Sequence, residues 1–127
     1  MTDKLISSVL VEKAFVYITS LTRECRKALV IKFESKYKGI PFDSVDAVLR
    51  REVESWFTKR DKNVKLSYIK SVVRASGEIL VTYSGVTKND QFNIQVNGIF
   101  TLADSSANAS SYLKNLNFNV DKRDFMK

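Results

Sequence analysis

Phe92-Asn93-Ile94-Gln95-Val96-Asn97-Gly98-Ile99-Phe100-Thr101-Leu102 is the stretch that decides the fold. Phe92, Ile94, Val96, Phe100 and Leu102 share one parity, with Gly98 in phase. Asn93, Gln95, Asn97 and Thr101 share the other, where Ile99 is the one apolar residue. Successive side chains of a strand face opposite sides, so this pattern predicts a half-buried antiparallel sheet with an amide-rich outer face. Asn97-Gly98 is a common hairpin turn signal. A turn there would leave Phe100 and Leu102 on the wet side, whereas one strand over 92–102 exposes only Ile99. The single strand is therefore the expectation.

Residues 112–120 repeat the alternation, with Leu116, Phe118 and Val120 set against Asn115, Asn117 and Asn119. Between them lies the polar loop Ser105–Ser111. Upstream, residues 64–75 read as a strand whose phase changes near Tyr68-Ile69-Lys70, which suggests a bulge. Ser76-Gly77 then turns the chain into Ile79–Tyr83, and Thr87–Asp90 makes the next turn. Four strands result, followed by a charged, fraying tail at 121–127.

Residues 1–38 contain neither Gly nor Pro. Leu5, Val9, Val16, Leu21, Cys25, Leu29 and Phe33 keep an approximate helical spacing, which predicts a helix over about 4–36, bent near Ser20. The competing reading is a hairpin built from Phe15–Ile18 and Leu29–Phe33, but Thr22–Lys27 between them has no turn residue. A second helix runs from Asp43 or Ser44, whose side chains can cap the first-turn amides, to about residue 59. Val45, Val48, Leu49, Val53, Trp56 and Phe57 form its apolar face. Arg50, Arg51, Glu54, Ser55 and Thr58 form the opposite one.

Together these readings predict one α+β domain over residues 1–127, with two N-terminal helices packed on a four-stranded, mostly antiparallel sheet. Its helical half is 1–60 and its sheet half 63–120. At 127 residues and 44% apolar content, the chain has enough material for a core without covalent staples.

Composition narrows the chemistry. There is no histidine and one cysteine, so Cys/His zinc sites and Ser-His-Asp or Cys-His catalysis are excluded. The four glycines are dispersed and make no phosphate loop. Glu52 falls on the apolar face of the second helix, where partial burial would raise its pKa, but no second carboxylate shares a catalytic spacing with it. Cys25 reads as a passive, buried thiol. No catalytic, cofactor-binding or metal-binding residues are assigned, and the expectation is that the protein is not an enzyme and carries no cofactor. No apolar run approaches a bilayer span, and the short N-terminal apolar stretch does not make a signal-peptide core. The expected site of synthesis is the cytoplasm.

Charge is uneven. Residues 1–74 hold 16 Lys/Arg against 9 Asp/Glu, while residues 75–127 balance at 5 each. This points to an anionic partner, with Arg23, Arg26, Lys27, Arg60, Lys62, Lys65, Lys70 and Arg74 as its candidate contacts. Ordinary solvated lysines are the alternative. The other candidate surface is the amide face, formed by Asn93, Gln95, Asn97, Asn115, Asn117 and Asn119. It is suited to docking another protein subunit.

Three segments carry a family resemblance: Val45-Asp-Ala-Val-Leu-Arg-Arg-Glu-Val-Glu-Ser-Trp-Phe57, Val64-Lys-Leu-Ser-Tyr-Ile-Lys-Ser-Val72 and Gly77-Glu-Ile-Leu-Val-Thr-Tyr-Ser-Gly85. Over residues 44–86 the chain resembles the sheath-initiator, or baseplate wedge, family of contractile phage tails. That family similarly runs helix, charged turn, strand, glycine turn, strand. The resemblance implies a virion or phage-tail component that acts by assembly. The expected function is thus a non-enzymatic structural or assembly protein with homo- or hetero-oligomeric partners, incorporated in a virus particle. A small basic protein that binds DNA or RNA is the alternative.

Overall fold

The computed structural model describes residues 2–37, 39–99 and 115–126, and side chains from residue 9 onward with Phe42 excepted. The order is helix α1 (Thr2–Ser35), helix α2 (Phe42–Arg60), strands β1 (Lys65–Val73), β2 (Glu78–Val86), β3 (Gln91–Ile99) and β4 (Asn117–Val120), then a 3-10 helix at Lys122–Met126. The four strands form one sheet in the order β1-β2-β3-β4, every neighbour antiparallel. Both helices cover the same side. α2 lies against β1 and β2, and α1 against β4, α2 and the 3-10 helix. The α+β architecture expected from the alternation is the one observed.

α1 is one continuous helix and not a hairpin. Its buried stripe is Ile18, Leu21, Thr22, Cys25, Leu29 and Phe33, with Val11, Ala14 and Phe15 partly buried before it. This corrects the expected stripe, because Val9 and Val16 are exposed. Helical steps of three and four taken backward from Leu21 reach Ile18, Phe15, Ala14 and Val11. Val9 and Val16 therefore fall on the far side of the helix.

α2 is capped two or three residues earlier than expected. Pro41 is its N-cap, no side chain caps the first turn, and Ser44 N–H donates to the Pro41 carbonyl at 3.0 Å. Asp43 and Ser44 are thus inside the helix, where Asp43 contributes only its charge near the positive dipole end. At the other end Asp61 accepts the Asn63 N–H at 2.9 Å and turns the chain toward β1.

The β1–β2 register skips Ile69, between the pairs Tyr68↔Tyr83 and Lys70↔Thr82, which is the expected bulge. Gly77 has φ +94°, a conformation other residues resist, and closes the β1–β2 turn with its N–H on the Arg74 carbonyl. Asn97-Gly98 is not a turn, since β3 pairs straight through it (Leu80↔Asn97, Ile79↔Gly98). Phe100, Thr101, Leu102, the Ser105–Ser111 loop and residues 112–114 lie outside the described residues. The last strand is shorter than expected within the described part, with Asn115 and Leu116 preceding Asn117–Val120.

The core joins the inner faces of the sheet (Ile79, Val81, Tyr83, Phe92, Ile94, Val96) to Val45, Leu49, Val53 and Phe57 of α2 and to the α1 stripe. Tyr83 donates its hydroxyl to the Leu49 carbonyl at 3.2 Å, satisfying a polar group that burial would otherwise penalise. Trp56 is half-buried on the rim of the α1–α2 groove, edge-to-face on Phe57 at 5.1 Å. The tail is not a frayed end. Its 3-10 helix buries Phe125, stacked on Phe92 at 5.2 Å and edge-on to Phe15 at 6.2 Å. Lys122 pairs with Glu12 of α1. One aromatic among charged residues anchors the segment.

Candidate protein interface

β3 alone defines two surfaces: Phe92, Ile94 and Val96 are buried, while Gln91, Asn93, Gln95 and Ile99 are exposed. The register extends the exposed surface across the sheet in rows. Lys70, Thr82, Gln95 and Asn119 form one row, in which Thr82 itself is buried between its neighbours, and Val72, Leu80, Asn97 and Asn117 the next. Ser67, Ser84 and Asn93 form a third, and Lys65, Val86 and Gln91 a fourth. No described element covers this side. Three strands of nine residues and one of four, at ~4.8 Å spacing and ~3.3 Å rise, make a face of about 500 Å². That is more than half of the ~800 Å² each partner contributes to a standard protein interface.

Five of the six amides predicted as a docking face stand on or beside this surface at registered positions: Asn93, Gln95, Asn97, Asn117 and Asn119. Asn115 instead precedes β4 and donates its side-chain amide to the Ile99 carbonyl at 3.4 Å. Beyond the end of β4 the β3 edge is satisfied again by Asp124, which accepts the Asn93 N–H at 3.0 Å. Exposed Val72, Val86 and Ile99 lie among the polar groups and supply apolar contact area.

The eight basic candidates divide. Lys65, Lys70 and Arg74 share the outer sheet face, so the structure merges them with the amides into one surface. Arg74 is paired with Glu78 at 3.0 Å, and Glu78 also accepts from Asn97 at 3.2 Å. Lys65 and Lys70 pair with no carboxylate among the described residues. Arg23, Arg26 and Lys27 lie on α1, and Arg60 and Lys62 at the end of α2, on the helical side of the sheet. Two of these have structural duties. Arg26 donates to the Leu116 carbonyl at 2.8 Å, tying α1 to the approach of β4. Arg60 pairs with Glu24 at 3.1 Å.

Half-buried Leu80 and Ser84 and buried Thr82 stand on this side of the sheet but were not singled out from sequence. Ile79–Tyr83 is too uniformly apolar to reveal its phase, and only pairing with β3 supplies it. Asp124 and Phe125 were hidden in a segment whose composition is that of a tail.

Glu52, expected to have a raised pKa, is 7% exposed. Burial does push its pKa up, but hydrogen bonds from Lys32 and Tyr37, both at 2.6 Å, outweigh that and hold it below the usual value. Proton donation needs the opposite shift; here the carboxylate acts as a tie between α1, the interhelical turn and α2. The groove beside it, about 270 Å³, is lined by Leu29, Lys32, Trp56 and Arg60. Burial pushes the Cys25 thiol well up, leaving it protonated. Among the described residues no three His, Cys, Asp or Glu gather as a metal site, and no helix is long and apolar enough to cross a membrane. No protein-family model, curated protein or solved structure matches this chain.

Proposed function

We propose that this protein is a non-enzymatic structural or assembly component acting through protein–protein surfaces, with a virus particle or phage tail as its setting. The observation that carries the reading is the outer sheet face, which no described element covers and where exposed neutral amides stand in register around exposed aliphatic residues. Such a face offers hydrogen bonds with little desolvation of charge, the composition that protein interfaces favour at their centres. The resemblance of residues 44–86 to sheath initiators supports the viral setting, with synthesis in the cytoplasm followed by incorporation. A photo-crosslinking amino acid placed at Gln95 should give discrete higher-mass adducts with protein subunits in the producing cell, and the same probe at Lys27 should not. Equal labelling from both positions, or none from Gln95, would refute docking through the sheet.

The second reading is binding of DNA or RNA, favoured by the alignment of Lys65, Lys70 and Arg74 along β1 beside the amides. It predicts a gel shift that weakens steeply with salt, since neutralised phosphates release counterions. A shift of unchanged strength between low and physiological salt would refute it.

A further inference from the structure

The two sides of the sheet end differently. Beyond β4, the β3 edge is closed by the Asp124 carboxylate and the Asn115 amide. β1 is nine residues long, and among the described residues no strand lies on its outer side. Among the described residues its one outward amide with a partner is Tyr68 N–H, accepted by Glu54 at 3.0 Å. Past the bulge, Arg74 exchanges backbone bonds with the β2 side. Antiparallel alternation then directs Val72 and Lys70 toward β2 as well, and turns the N–H and C=O of Ser71 and Val73 to the open edge. Beside those groups Ile69 is 49% and Val73 51% exposed. Open backbone flanked by aliphatic side chains is the arrangement that accepts an added strand.

Charge decides the occupant. Lys65 and Lys70 flank the edge on the sheet side. Arg51 and Lys59 line a groove along its helical side together with Tyr68, Glu54 and the Asp46-paired Arg50, leaving the groove net positive. The nearby carboxylates are engaged: Asp46 by Arg50 and Ser71, Glu54 by Tyr68 N–H, and Glu78 by Arg74. A second copy pairing through β1 would set Lys65 and Lys70 against their own kind, which disfavours self-addition. Nucleic acid would leave Ile69 and Val73 without apolar partners.

We propose that the β1 edge from Lys70 to Arg74 binds an extended acidic segment of another protein as a fifth strand. The proposal rests on the reading of the protein as an assembly component but uses a surface separate from the amide face.

The probe is a short fluorescent peptide alternating glutamate and valine, compared with its glutamate-to-lysine counterpart, a backbone N-methylated version and single-stranded DNA. The acidic peptide should bind, and should slow hydrogen exchange at the Ser71 and Val73 amides. The Lys65→Glu/Lys70→Glu variant should bind it roughly tenfold or more weakly, as expected for reversing two exposed charges. Val73→Pro removes only an outward N–H, a substitution that edge strands tolerate, and should keep the fold while abolishing binding. If that variant unfolds, loss of binding with the N-methylated peptide makes the same distinction. Equal binding of the lysine peptide, unchanged exchange at Ser71 and Val73, or unimpaired binding of the N-methylated peptide overturns the proposal. So does DNA displacing the acidic peptide without altering exchange at this edge. Crosslinks from Gln95 would survive that outcome, so the edge and the face can fail separately.

Discussion

β3 presents two surfaces from one stretch of chain. Phe92, Ile94 and Val96 lie under the helices, while Gln91, Asn93 and Gln95, their immediate neighbours, stand in water. The difference separates two physical roles by parity alone. Burial of apolar side chains contributes roughly 1.5–3 kcal/mol each, so stability resides on the inner face. The outer face holds polar groups that water satisfies equally well, and it is free to change without unfolding the chain. The sharpest break in this contrast is Phe92→Ala, which removes a ring packed on both Gly85 and Phe125. It should cost about 3–5 kcal/mol in urea unfolding, whereas Gln95→Ala should stay within about 0.5 kcal/mol. Comparable losses at both positions would mean that the outer side is also packed.

A second test asks how closely the inner face is fitted. Gly85 is the cross-strand partner of Phe92, whose ring occupies the space a Cβ would take, with Leu66 Cδ2 at 3.0 Å from the same point. Gly85→Ala should therefore cost about 1–3 kcal/mol through overpacking. In a Phe92→Leu background the penalty should shrink, because the obstructing ring is gone. A penalty of the same size in both backgrounds would trace it to the backbone instead.

How much of this was legible depended on whether a segment's pattern had a single period. The β3 alternation disclosed its buried and exposed faces and the antiparallel sheet class, and the same parity disclosed β4 as a further strand of that kind. The Tyr68–Lys70 phase change disclosed the bulge. α1 was legible as a helix but not in its facing, because Val9 and Val16 supply a second apolar set opposite Ile18, and only contact with the sheet selects one. The merging of Lys65, Lys70 and Arg74 with the amides could not be read from spacing. It depends on the register of β1 against β2, set by pairing across a turn and a bulge. The anchoring of Phe125 was equally hidden, being a contact with residues far away in sequence.

Among the described residues the helical layer above the inner face holds one buried carboxylate, Glu52, which tests the contrast from the charged side. Its pKa is depressed in the folded state, where Lys32 and Tyr37 bond the ionised form. The stability it contributes is therefore fully present above the ordinary value of 4.5, and is lost as pH falls below that through the folded value. Glu52→Gln should cost about 1–2 kcal/mol near neutral pH, in keeping with the loss of charge-assisted hydrogen bonds. The gap between wild type and variant should narrow on acidification below 4.5 and stay constant above it. A gap that widened in acid would reverse the sign and place the proton on Glu52 in the native state.

The smallest expected effect is the most demanding of the contrast. Lys70, Gln95 and Asn119 occupy one row of the outer face, and all three are exposed. Replacing all three with alanine removes polar groups that exchange freely with water. The unfolding midpoint should then move by no more than about 1 kcal/mol equivalent. Crosslinking from the adjacent Asn97 should nonetheless fall, because the same row would border any docked subunit. Stability retained with crosslinking diminished is the combination that a face kept for recognition requires. If both held steady, the amides would be ordinary solvated polarity, and the β1 edge would be left as the docking surface.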